Sequence, residues 1–191
     1  MSTTGPSVSD EEIIARTRRW LEHAVIGLNL CPFAKAVHVR GQVRYVVSHA
    51  RDPEELLATL HAELEHLADT PPERTDTTLL IHPEVLNDFL DFNDFLEIAD
   101  AAVTALDLDG FLQVASFHPD FQFAGTAPDD ITNATNRAPY PILHLLREDS
   151  IERAVAAIPD AADIFEKNME TLEQLGPAGW ADLQKLIFGN K

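Results

Sequence analysis

Cysteine is almost missing from this chain of 191 residues: Cys31 stands alone, which excludes an internal disulfide framework and fits a reducing compartment. Positive charge is scarce as well. Against 32 acidic residues there are 14 Lys and Arg, and the net charge of -18 repels phosphate backbones and anionic membrane surfaces. Nucleic acid and membranes are therefore not expected as partners. No apolar run approaches transmembrane length, and MSTTGPSVSDEE lacks a basic segment followed by an apolar one, so the expected location is the cytoplasm. Internal repeats and low-complexity tracts are absent too. What is present suffices for a full core: with 45% hydrophobic residues, the expected organisation is a mobile tail over residues 1–8 and one globular domain over 9–188.

Hydrophobic periodicity and punctuation place the elements. Ser9 and Glu12 have capping-box spacing ahead of Ile13, Thr17, Trp20, Leu21, Ala24 and Leu28, which predicts a first helix ending near Gly27. Pro32 turns Cys31 into a corner. Strands are expected over QVRYVVSH (42–49), TTLLIH (77–82), 111–117 and 142–146, with a helix opened by Asp52-Pro53 and a longer one closed by Asp109-Gly110 between the first three. After the fourth strand the chain reads as helical, with Ser150 and Asp160 as caps and Gly176-Pro177 as a break. This order predicts an α/β fold, with three parallel neighbouring strands linked by crossover helices, a fourth antiparallel strand, and C-terminal helices. The alternative is a ferredoxin-like α+β sandwich.

Polar and turn-forming residues gather in SFHPDFQFAGTAPDDITNATNRAPYPILHLLR, from Ser116 to Arg147, between two apolar runs. Arg137 is the only Lys or Arg between Arg74 and Arg147. With Asn133 and Asn136 beside it, its planar fork suits two-point recognition of a carboxylate or phosphate; the other reading is an internal ion pair with Asp129 or Asp130. Three expected strands finish on or directly before a histidine, His49, His82 and His118. Parallel strands would align these on the sheet edge where open α/β folds bind ligands. An antiparallel fourth strand would bring His144 toward His118 and Asp120. Each imidazole also has a plain structural reading, as a solvated loop residue or a satisfied core group.

The blocks GLNLCPFA, TTLLIHP, DFNDFLEIAD, ASFHPDFQFAGT and NATNRAPYPILHLLRE resemble the signature segments of an uncharacterised bacterial family, domain of unknown function 1415. The resemblance spans nearly the whole chain and implies no activity, cofactor or catalytic residue. It does place Cys31, His118, Asp120, Asn136, Arg137 and His144 inside the blocks.

Three functions from different classes are consistent with these residues. The first is a thiol- or histidine-dependent transferase or hydrolase acting on a small anionic metabolite. There Cys31 is the nucleophile, His118 or His144 the base, Asp120 the orienting carboxylate, and Asn133, Asn136 and Arg137 the substrate contacts. The second is a metal-binding protein or metal-dependent enzyme drawing on His82, His118, Asp120 and His144, although no dense ligand motif is present. The third is a non-catalytic interaction module. No cofactor is indicated.

Overall fold

The computed structural model describes residues 8–158 and 163–189; the expected tail, apart from Val8, and the expected cap Asp160 lie outside the described residues. Local rules account for the helices. Helix α1 (Asp10–Trp20) starts where the Ser9 hydroxyl accepts the Glu12 N–H, and it continues as a π-helical turn over Leu21–Ile26. After the Cys31 corner comes a short helix that periodicity had not revealed, α2 (Ala34–Val39). Helix α3 (Pro53–Asp69) has Asp52 accepting the Glu55 N–H and proline in its first turn; its buried stripe is Leu56, Leu60, Leu64 and Leu67. Helix α4 (Phe89–Ala105) is capped by Asp88. Helix α5 (Glu148–Ala156) follows the last strand, and α6 (Ile164–Phe188) is broken at Gly176, whose φ of 68° precedes Pro177. Ser150 does not cap α5; its hydroxyl donates instead to Asp76.

Strands β1 (Val43–Val47), β2 (Thr77–Ile81), β3 (Leu112–Phe117) and β4 (Ile142–Arg147) form one sheet in the order β1-β2-β4-β3. β1 and β2 pair in parallel, and β4 runs antiparallel to both β2 and β3. The first three strands share a direction as expected, but β3 is not the neighbour of β2: β4 is inserted between them. Along their length β2 and β4 are more buried than β1 and β3, as suits the two central positions. The element sequence β-α-β-α-β-β also departs from the β-α-β-β-α-β order of a ferredoxin-like sandwich.

Alternation along the strands gives the sheet two covered faces. Leu80, Leu112, Leu143 and Leu145 pack against α3 and α4. On the opposite face Leu79, Ile81, Ile142 and Phe117 meet α1, its π-helical extension and α6. Residues 113, 115 and 144 also belong to this second face by register.

Candidate functional site

The common direction of β1, β2 and β3 brings His49, His82 and His118 to one sheet edge, where each imidazole is committed differently. His49 is exposed and bridges Asp10 at 3.1 Å and Glu84 at 3.2 Å, and the bond to Asp10, then that to Glu84, raises its pKa. His82 is fully buried. Its Nδ1–H donates to the Val85 carbonyl at 3.0 Å, Nε2 has no partner, and burial pushes its pKa down to about 4. His118 donates from Nε2 to the Leu86 carbonyl at 3.1 Å and accepts the Asp120 backbone N–H on Nδ1 at 3.0 Å. Both nitrogens of a neutral ring are thus spent, and burial holds the pKa below the ordinary value. Asp120 meets His118 through its main chain, and the residue itself is exposed.

The loop between β3 and β4 is held by the same residues that make it conspicuous in sequence. Asn133, fully buried, accepts the Phe123 N–H and donates to the Ala127 carbonyl, both at 2.9 Å. Asn136 donates to the Ser116 carbonyl at 3.1 Å, and its own carbonyl accepts the His118 N–H. Arg137 donates to the carbonyls of Phe121 at 3.2 Å and Pro128 at 2.6 Å, while its carbonyl accepts the Trp20 indole N–H at 2.9 Å. Among the described residues no carboxylate lies within ion-pair distance of Arg137. Asp130 serves instead as a cap, accepting from Thr132. A loop of this length needs its main-chain groups satisfied internally, and these side chains do that.

A cavity of about 830 Å³ opens elsewhere, on the sheet face that carries α1. Its wall includes Trp20 and Leu21 where α1 passes into the π-helical turn, Cys31 and Phe33 at the corner, Phe117 on β3 and His144 on β4. No lining residue comes from the stretch between Phe117 and His144. The candidates therefore separate: Cys31 and His144 share the cavity wall, whereas His82, His118, Asp120, Asn133, Asn136 and Arg137 lie outside it. Among the described residues, no three His, Cys, Asp or Glu side chains converge as a metal-ligand set.

Thr77 fixes the state of His144. Its hydroxyl donates to the Leu145 carbonyl at 2.7 Å, so toward His144 Nε2, also at 2.7 Å, its oxygen can only accept. The proton is therefore on Nε2. Nδ1 carries a bare lone pair, shielded from solvent and without a partner, and burial pushes the pKa to about 4. Burial acts oppositely on Cys31: the half-buried thiol is pushed up, with the backbone N–H groups of Phe33 and Ala34 offsetting part of the rise. Imidazole and thiol are both neutral at pH 7.

Thr77, Ala115, Arg40 and Arg153 also line the cavity, and no motif in the sequence marks them. A faint signal existed for one of them. Ala115 is the small residue on the face of β3 otherwise occupied by Gln113 and Phe117, and by register it faces His144, so the space is left where two small or flat side chains adjoin.

Among the described residues, no helix is long and apolar enough to cross a membrane. No curated protein and no solved structure matches the chain. A family profile matches residues 12–182, and the chain belongs to that family, described as Protein of unknown function (DUF1415).

Proposed function

We propose that this protein binds a small, largely apolar molecule in the cavity on the α1 side of the sheet, whose wall includes Cys31 and His144. The carrying observation is the meeting of those two residues in one cavity of about 830 Å³, within the usual size range of ligand sites. Among the other candidates, His82, His118, Asn133, Asn136 and Arg137 all spend side-chain groups on main-chain partners of the loop and the strand ends. Saturable one-to-one binding of the neutral dye N-phenyl-1-naphthylamine, abolished by Ala115→Phe in a variant that remains folded, is the expected result. Binding that Ala115→Phe leaves unchanged, or no saturable binding, would overturn the reading.

A thiol-dependent transferase or hydrolase is the second reading, favoured by the same shared wall. It requires more than the resting site supplies, because a raised thiol and a lowered imidazole oppose the thiolate–imidazolium pair that activates cysteine. A bound substrate would have to provide the missing stabilisation. Metal binding through His82, His118, Asp120 and His144 has less support: His118 has no free lone pair, and His144 faces the α1 side while His82 stacks on Phe92 of α4. Residues 9–188 as one domain, and the cytoplasm as its location, complete the proposal; the single sheet shared by both cores supports the first, the acidic charge balance and lone cysteine the second.

A further inference from the structure

The charged residues of the cavity wall are not scattered around it. Arg40 and Gln42 precede β1, Asp76 precedes β2, and Ser150 and Arg153 follow β4. Given the strand directions, all of these lie at one end of the sheet. From that end the β3 wall continues through Gln113, Ala115 and Phe117, a run of about 13 Å at roughly 3.3 Å per residue, and finishes where Phe117 packs on Trp20 with ring centroids 5.0 Å apart. The cavity is thus a slot with an apolar inner end and a polar mouth.

The charges at the mouth are unequally committed. Asp76 accepts the Ser150 hydroxyl at 2.6 Å, and Ser150 in turn accepts from Arg153 at 3.1 Å. Glu73 is exposed. Neither Arg40 nor Arg153 has a carboxylate within ion-pair distance among the described residues. In a chain with more than twice as many acidic as basic residues, these two guanidinium groups stand together without ion pairs at the rim of an apolar slot. Arg147, close by, is not part of it: its guanidinium is spent on the carbonyls of Leu67, Thr70 and Thr75.

We propose that the ligand is an amphiphile, with an apolar body lying over Ala115 and His144 toward Phe117, and an anionic head, such as a carboxylate, held at the mouth by Arg40 and Arg153. This rests on the reading of the cavity as a ligand site and names the class of ligand it takes. Guanidinium groups suit such a head because they offer paired donors and stay charged at any physiological pH.

Three probes with the same chain separate the head from the body: decanoate, decanol and decyltrimethylammonium, titrated calorimetrically at neutral pH below their aggregation thresholds. Decanoate is expected to bind about tenfold tighter than decanol, the effect of one modest charge-assisted contact, with the ammonium weakest. In the double variant Arg40→Glu, Arg153→Glu, shown to be folded by its melting curve, decanoate should lose that advantage while decanol keeps its affinity. Decanol binding as tightly as decanoate, or the ammonium binding best, would overturn the anionic head and leave the apolar cavity standing. If none of the three bound, or if Ala115→Phe left their binding intact, the cavity reading would fall together with this inference.

Discussion

Thr77 and His144 behave as one unit, and the consequence is measurable. Thr77→Val keeps the shape but leaves the His144 N–H buried without an acceptor, so a loss of roughly 1–3 kcal/mol in urea unfolding is expected. Adding His144→Phe removes the orphaned donor as well, and the double variant should cost clearly less than the two single losses together; additive losses would mean that the 2.7 Å contact does not couple the pair. His144 and His82 also bear on pH. Both are held at about 4 by burial, below the ordinary 6.5, so on acidification the unfolded chain takes up protons before the folded one. Stability contributed by these two groups is present above pH 6.5, falls between about 6.5 and 4, and is gone below. The size is on the order of 1–3 kcal/mol for each ring. Urea melts across this range should flatten in His144→Phe, and an unchanged pH slope would contradict the buried neutral assignment. Cys31 titrates the other way. Its alkylation by iodoacetamide in the native protein should be slower at neutral pH than that of free cysteine and accelerate only at higher pH.

At the scale of elements, the π-helical turn is what delivers Cys31 to the cavity, and Gly27 permits it. A Cβ at Gly27 would press into the His23 carbonyl, a main-chain group that cannot swing aside. Gly27→Ala is therefore expected to destabilise the protein by about 1–3 kcal/mol and to weaken dye binding, because the Leu30–Phe33 corner would shift. A variant of wild-type stability and affinity would show the turn to be adaptable. The sequence made some elements plain. Leucines four, eight and eleven residues after Leu56 define α3, and the uncharged TTLLI of β2, β-branched or apolar throughout, marks a strand buried on both sides. Six residues are too few for periodicity to reveal α2, and a π-helical turn has the same apolar residues as the α-helix it extends. Strand order was hidden for another reason. Alternation states which side chains share a face but not which strand lies alongside, so the insertion of β4 between β2 and β3 could not be read from either strand alone.

At the scale of the molecule, sequence clustering and spatial clustering point to different places. The polar residues of Ser116–Arg147 are dense because a long loop must satisfy its own main chain, whereas the cavity draws on Trp20, Cys31, Thr77, Ala115 and His144 from five separate segments. No local window contains that site. Net charge acts over the same scale. Most of the ion pairs, such as Arg16 with Glu12 and Lys185 with Asp182, are partly or largely exposed and individually worth less than about 1 kcal/mol. The net charge of -18, by contrast, makes repulsion the dominant long-range electrostatic effect in the folded state, where acidic groups are closest together. Screening should therefore stabilise the protein. Raising sodium chloride from about 0.01 M to about 0.15 M shortens the Debye length from roughly 30 to 8 Å, and a gain of about 1 kcal/mol would raise the melting temperature by about 2–4 °C for a chain of this size. The increase should vanish near pH 4.6, the sequence pI, where the net charge is lost. A melting temperature that falls with salt at pH 7 would mean that the favourable pairs, with Arg44–Glu63 at 2.8 Å the least exposed of the arginine pairs on its carboxylate side, outweigh the repulsion.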